Sequence, residues 1–556
     1  MSTSEPTFDS PALRKARGAF FTPAALCDYI VDWAVRSYDD RVLEPACGEA
    51  AFLLSAGRRL AKLAADQGTS PAALHGVELH AASARHAQSL VEAQGSEVEV
   101  ETGDFFTFEP QAQYDVVVGN PPYVRYQDFA GEARLRSRAA TLRAGVPLTG
   151  LASSWAAFTV HAALCLKPGG RLGLVLPAEL LTVNYAGPIR RFLMERFRNV
   201  RLVMFTERVF PGVMEEVVLV LADGFDRGPS KHCDIYQARN TSDLNQAVSQ
   251  HWTPTDLEAK WSPSLLSAEA VEAYETLFAG PDFCTLQTWG ETTLGMVTGN
   301  NKYFMMSPQR AWELGLTESE LLPMSPPGSR HLRGLEFSKT AWNDLGREGM
   351  ATYLLRPKGD PSSAASDYFT EGEKAKVNQA YKCRVRKPWW RVPLVAKADL
   401  FLTYMNADTA RLCTNSAGVN NLNSVHGVYL NNGYKILGKK LLPIAALNSM
   451  TLLGAETVGR AYGGGMLKVE PKEADMLPVP SKTLIESAQQ KLETTRPQID
   501  RFLRNGKLLE AVQAIDDILL IDYGKLRRPL AKALREAHIA LRERRASRGA
   551  KARDTD

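Results

Sequence analysis

A chain of 556 residues exceeds what one hydrophobic core ordinarily organises, so two or three domains are expected. With 45% hydrophobic and 23% charged residues it reads as globular, and a net charge of +4 is too small to announce a general polyanion binder, so any basic surface must be local. The seven cysteines are dispersed without a C-x-x-C pair, Met1–Pro6 is polar, and no apolar run approaches about 18 residues; a disulfide framework, a zinc site, a signal peptide and a membrane span are all disfavoured, and a cytoplasmic setting is expected.

From residue 24 to 221, short β-branched runs alternate with stretches of helical spacing. The pattern predicts strands at 41–45, 74–79, 97–101, 115–119, 171–177, 201–206 and 216–221, with helices such as 51–66 and 81–94 between them. Strand–helix alternation implies a parallel sheet. The last two strands have no helix between them, which places one antiparallel strand near the end. Domain boundaries are expected as follows: a first domain over 1–225, a polar connector over 226–285 with helix near 267–279, and a second domain of short strands and long loops over 286–480. A helical segment over 481–541, including 508–521, and a basic, disordered tail over 542–556 complete the chain.

Ligands of open parallel sheets lie beyond the carboxyl ends of the strands. The first strand runs into Glu44-Pro45-Ala46-Cys47-Gly48, where a glycine turn brings backbone close to a ligand. The second ends at Glu78, a carboxylate able to accept from two ribose hydroxyls. The third leads to Asp104-Phe105, an acceptor for an adenine amino group beside an apolar ring. The fourth ends in Asn120-Pro121-Pro122-Tyr123. A single acidic residue at a strand end is commonly a solvated surface group; four successive strand ends carrying compatible chemistry describe a nucleoside-cofactor site facing a planar amino group, and hence methyl transfer to an exocyclic nitrogen. Cys47 has no partner histidine nearby in sequence and is a poor candidate nucleophile.

Gly18-Ala19-Phe20-Phe21-Thr22-Pro23, the glycine turn, the tetrapeptide and a large following domain occur in the order found in the gamma class of DNA adenine-N6 methyltransferases, which this chain resembles. The resemblance is motif-by-motif over about 15–221 and looser over 290–480. It implies an α/β fold: a Rossmann-like, mostly parallel S-adenosylmethionine-dependent methyltransferase sheet with a terminal antiparallel strand, then a mixed α+β target-recognition domain and a C-terminal helical segment. It also implies that Phe21, Thr22 and Pro23 lie along the methionine moiety of S-adenosyl-L-methionine, that Glu44 faces its ammonium group, and that Ala46, Cys47, Gly48, Glu78, Asp104 and Phe105 complete the cofactor site.

Adenine N6 is a poor nucleophile because its lone pair is delocalised into the ring. Two acceptors on its amino hydrogens restore that lone pair: the Asn120 side-chain oxygen and the Pro121 carbonyl, held by the restricted φ of Pro121 and Pro122. Tyr123 offers a face for a base flipped from its stack. By the same resemblance Phe210, in Val209-Phe210-Pro211-Gly212, packs on the flipped adenine; the competing reading is a loop hydrophobe sealing the core. Resemblance extends to recognition-domain segments at Gly295–Phe304, Arg330–Gly334 and Tyr462–Pro471, with Arg391 after Trp389-Trp390 and Lys439-Lys440 as groove candidates, although tryptophans are more often core and lysines solvated. The expected partner is double-stranded DNA, with a cognate restriction endonuclease acting on the same site without a stable complex, and the protein is expected to be a monomer. Asn-Pro-Pro-Tyr also serves enzymes that methylate amide nitrogen in proteins, RNA adenine is a further alternative, and a catalytically silent specificity module is the non-enzymatic one.

Overall fold

A computed structural model of the chain describes residues 22–124, 131–150, 152–205, 207, 209–210, 216–246, 249–254, 256–462 and 465–550. It divides into two compact units, Met1–Ser264 and Leu265–Asp556.

The first unit is built on one sheet. After helix α1 (Ala24–Ala34), strand β1 (Val42–Pro45), helix α2 (Ala51–Gln67), β2 (Leu74–Glu78), α3 (Ala81–Ala93), β3 (Val98–Thr102) and β4 (Tyr114–Gly119) follow in turn. Then come α4 (Gly131–Leu142), α5 (Ser154–Leu164), β5 (Leu166–Pro177), α6 (Gly187–Arg196), β6 (Phe197–Phe205) and β7 (Val217–Phe225). The strand order is β3-β2-β1-β4-β5-β7-β6, continued by β8 (Cys233–Ala238) and β9 (Ser249–Trp252). Strands β1 to β5 pair in parallel, β7 runs antiparallel to both β5 and β6, β8 pairs parallel to β6, and β9 pairs antiparallel to β8.

The strand sequences explain this. Val116, Val117 and Val118 of β4 are fully buried, as a parallel strand covered on both faces requires. Helix α2 buries Phe52, Leu53, Ala56, Leu60 and Ala64 at helical spacing and keeps its charged face outward. A Cβ at Gly173 would come within 2.5 Å of Ile30, so glycine on β5 is what lets α1 approach the sheet.

Two expectations change. The antiparallel strand β7 is interior because it inserts between β5 and β6, and part of the segment expected as connector, 226–285, forms β8 and β9, which extend the sheet beyond β6. That segment looks irregular because β9 is four residues long and alternates half-buried with exposed positions, a pattern too brief to register as a strand. The helix expected there is present, Ala268–Ala279.

The second unit holds a four-stranded antiparallel sheet ordered Gly290–Leu294, Val425–Leu430, Leu400–Thr403, Leu412–Thr414, with two three-stranded sheets and one two-stranded sheet. Helices Lys482–Arg504, Leu508–Asp516 and Arg528–Ala550 follow, with a π-helical turn at Asp517–Tyr523. The last helix corrects the expectation of a disordered tail from 542. It continues to Ala550, and Arg545 is buried with its guanidinium on Glu456 at 2.8 and 3.0 Å, so one charge of the basic stretch is a buried ion-pair partner. No single helix among the described residues is long and apolar enough to cross a membrane.

Candidate active site

Strand order reverses between β1 and β4, whose neighbours lie on opposite sides, and a crevice opens beyond their carboxyl ends at such a point. Five elements deliver the expected residues to it.

The turn after β1 is tightly bent. Ala46, Gly48 and Ala50 all have left-handed φ, 63°, 52° and 63°. Alanine in this region is costly, and such strain collects where backbone must be aimed. A Cβ on Gly48 would meet nothing within 4 Å, so the turn faces open space. Its amide donates to Glu78 Oε2 at 3.0 Å, while Oε1 accepts from His80 N at 3.0 Å; the end of β2 thus braces the end of β1. Glu44 is buried and accepts from Leu53 N at 2.9 Å, capping the free N–H groups of α2, and burial pushes its carboxyl well above the usual carboxylate range. Cys47 turns its thiol into the core, where burial and then the charges of Glu44 and Glu78 push its pKa up, so only its backbone is available to the crevice. This agrees with its rejection as a nucleophile.

After β3, Asp104 Oδ1 accepts from Phe106 N at 3.0 Å and Oδ2 pairs with Arg136 at 3.3 Å. Phe105 is 5% exposed and packs against Phe158 and His161, with centroids at 4.7 and 4.8 Å. The exposed apolar group at this rim is instead Leu79, 60% exposed beside Glu78. Sequence reading passed over it because an isolated leucine after a strand has no periodicity to mark it.

The tetrapeptide sits beyond β4. Asn120 Nδ2 donates to Thr22 Oγ1 at 3.2 Å, and Asn120 Oδ1 accepts from the Tyr123 hydroxyl at 2.7 Å. The same hydroxyl lies 2.9 Å from Val175 O on β5. Pro23 caps α1 through its carbonyl, which accepts from Leu26 N and Cys27 N. Phe21 lies outside the described residues.

Ser154, at the start of α5, was not anticipated. Its hydroxyl donates to Pro122 O and accepts from Val124 N at 2.9 Å, and its amide donates to Val124 O at 3.0 Å. Three bonds from one buried residue fix the tetrapeptide's exit. A serine at a helix start reads as an ordinary cap, so nothing in the sequence sets this one apart.

Phe210 is 4% exposed and belongs to the apolar cluster of Val175, Val203, Phe205 and Leu219, against which Tyr123 also packs. Residues 211–215 lie outside the described residues.

In the second unit, Trp390 stacks on Phe369 at 4.7 Å with Arg391 over its face at 5.2 Å, while Lys439 and Lys440 pair with Asp399 and Glu493. His331 accepts or donates with Ser325 at 2.7 Å, and Arg333 reaches Asn406. Each of these groups makes a contact within the unit. Residues 463–464 of the Tyr462–Pro471 segment lie outside the described residues.

Comparison with known proteins agrees with this geometry. Residues 9–262 match the family described as N-6 DNA Methylase, and residues 258–520 match the C-terminal domain of Type II methyltransferase M.Eco57I. The chain belongs to the N-6 DNA methylases. The motif order places it in their gamma class, beside the methyltransferases of type II restriction-modification systems. It is 22% identical over 472 residues to Type II methyltransferase M.AccI of Acinetobacter calcoaceticus, covering 83% of this chain and 84% of that one. It is 24% identical over 489 residues to M.XamI of Xanthomonas campestris pv. amaranthicola, covering 85% and 87%. The solved structure of the Type IIL restriction-modification enzyme MmeI in complex with DNA aligns with a TM-score of 0.57 at 11% identity, covering 94% of this chain and 75% of that one, and shows the shared fold.

The methylase takes its methyl group from S-adenosyl-L-methionine, the cofactor of this family and fold. The crevice fits such a group: a strained turn facing open space, an acceptor carboxylate at the end of β2, another after β3 and an exposed apolar side chain between them.

Proposed function

We propose that this methylase methylates N6 of one adenine within a short site in double-stranded DNA, with the second unit as target-recognition domain. The observation that carries this reading is the Asn120–Tyr123 loop, whose amide is oriented from both sides, at the carboxyl end of β4 beside the β1 turn.

Gly48 and its neighbours, Glu78 and Asp104 would hold S-adenosyl-L-methionine, which supplies a methyl group activated on a sulfonium. Asn120 and Pro121 do the remaining work. Asn120 Nδ2 is occupied by Thr22, so its oxygen is the end presented to the crevice. Tyr123 covers that oxygen, yet its hydroxyl has Val175 O within reach as an alternative acceptor. When a target amino group arrives, the hydroxyl turns to Val175 O and releases Asn120 Oδ1. Oδ1 and Pro121 O then accept the two amino hydrogens, drawing the nitrogen lone pair out of conjugation. Held so, the nitrogen lone pair would be aimed at the sulfonium-activated methyl that the bound cofactor would supply, and the proton lost from nitrogen would pass to solvent. Placement and preorganised dipoles supply the acceleration. The target adenine is flipped from the duplex, since N6 is inaccessible there, and the half-buried Tyr123 supplies apolar surface beside it, with Phe210 packed behind in the core.

The protein is further proposed to be a cytoplasmic, monomeric, stand-alone modification enzyme that protects sites cut by a separate endonuclease. Expression in a methylation-deficient host, followed by modification-sensitive sequencing of the host DNA, tests the central claim. N6-methyladenine confined to one short motif is the expected result. Unmodified DNA from soluble, cofactor-binding protein would redirect the assignment to RNA or protein amide nitrogen.

A further inference from the structure

Away from the crevice, three ligand-type side chains converge on the far edge of the sheet. Asp234 on β8 and His251 on β9 are direct cross-strand partners. His232 lies two residues before Asp234 and so shares its face of the strand, whereas Cys233 and Ile235 alternate into the core. Asp234 Oδ1 lies 2.7 Å from His251 Nδ1 and 3.4 Å from His232 Nε2, and the two imidazoles meet edge to face with centroids at 4.5 Å. All three donor atoms lie within 4.8 Å of one another. Arg201, the register partner of Asp234 on β6, places its guanidinium over Tyr236 at 4.6 Å, so the carboxylate's hydrogen-bond and ion-pair partners among the described residues are the two histidines.

We propose that His232, Asp234 and His251 bind a divalent transition-metal ion of the zinc class. Bonds of zinc to nitrogen and oxygen near 2.0–2.1 Å on a tetrahedron imply donor separations of about 3.3 Å. The 2.7 and 3.4 Å separations bracket that value, and small side-chain rotations set the third. Two imidazoles and one carboxylate suit zinc, nickel or copper; magnesium and calcium prefer all-oxygen shells. His251 is 73% exposed in its side chain, so water completes the shell. The sheet order puts β4 and this edge on opposite sides of β5, β7 and β6, so the ion belongs to a different place from the methyl-transfer crevice. Its consequence is mechanical: among the described residues β9 pairs only with β8, and a shared ion ties that outermost strand down.

The test uses the full chain, purified without a polyhistidine tag and stripped with chelator. Zinc is titrated in competition with a chromogenic chelator, and cobalt(II) is followed by its visible absorbance. Binding of one equivalent is expected, together with a zinc-dependent rise in melting temperature. The double variant His232→Ala/His251→Ala should lose at least about tenfold in affinity and the thermal shift, while His86→Ala on the exposed face of α3 should lose neither. Asp234→Asn, which keeps the side-chain shape, serves as a second variant and should weaken binding while circular dichroism stays unchanged. Equal zinc affinity in the native chain and the double variant, or no stoichiometric binding by the native chain, would overturn the assignment.

Discussion

Thr22 and Asn120 stand 98 positions apart in the chain and meet at 3.2 Å, the hydroxyl oxygen of one accepting from the side-chain amide of the other. This contact decides which end of the Asn120 amide faces the crevice. It joins the first sequence motif to the catalytic tetrapeptide without passing through the cofactor turn.

Replacing Asn120 by Ala should lower methyl transfer by about a hundredfold or more, the loss typical of one preorganised polar group at a reacting centre. Affinity for S-adenosyl-L-methionine should change little. Thr22→Ala removes only the orienting bond, about 0.5–1.5 kcal/mol, and should slow transfer by about two- to tenfold. Single-turnover rates with calorimetric cofactor binding check both. Full activity in the Asn120 variant would end the amide-acceptor mechanism.

Ser154 acts on the same loop from its far side. Ser154→Ala leaves Val124 N and Pro122 O without their side-chain partner. The expected result is a fall in kcat of about three- to tenfold with KM for cofactor unchanged, and partial recovery in Ser154→Thr, which retains the hydroxyl. A change confined to thermal stability would reduce Ser154 to a structural cap.

Glu78→Ala removes both the proposed acceptor for the cofactor and the brace on Gly48 N. Cofactor affinity should weaken by about 1–3 kcal/mol, the cost of unpairing a buried polar group. Equilibrium dialysis with labelled cofactor reads it directly. Native affinity in the variant would reject this carboxylate as part of the cofactor site.

Breaking the buried pair at the C-terminus should be expensive. Arg545 also donates to the carbonyls of Asp408 and Gly465. Arg545→Ala strands Glu456 without its partner and should destabilise the second unit by about 3–5 kcal/mol. Chemical denaturation of the two proteins provides the comparison, and a difference within error would return residues 542–550 to the status of an incidental extension.

His538 is fully buried, and both ring nitrogens lack a hydrogen-bond partner among the described residues. Burial, then the charges of Arg542 and Arg545, lower its pKa to about 3. The folded protein therefore stays neutral at His538 while the unfolded chain takes up a proton below about pH 6.5, so stability falls as pH drops from there toward 3. Asp516 works the other way. Burial raises its pKa to about 6 despite Ser449 and Arg535, so its cost is present at neutral pH and is relieved as pH falls from about 6 toward 4. Of these two groups the histidine has the larger shift. His538→Leu should accordingly gain more stability at pH 5 than at pH 8, as measured by urea unfolding at both. An equal gain at both would show that the site titrates normally.

The sequence by itself determined the catalytic half of this protein. Local signals suffice there: each strand is short and carries valine or leucine, each motif follows its strand within a few residues, and a parallel sheet brings successive strand ends to one edge. Glu44, Glu78, Asp104 and Asn120 could thus be placed at neighbouring strand ends from order alone, although Glu44 is buried against the start of α2. Exposure is a different quantity, which the chain order does not encode. Phe105 and Phe210 look like ligand surfaces in sequence and are packed in the fold, whereas Leu79 is exposed and carries no mark. Tertiary structure alone decided the rest. The Thr22–Asn120 contact, the Ser154 clamp, the Arg545–Glu456 pair and the approach of His251 to His232 and Asp234 all join side chains whose separation along the chain exceeds any periodicity or motif. The register between β8 and β9, set by which faces of those strands are buried, puts His251 opposite Asp234; shifted by one residue, the same sequence would hold no such group.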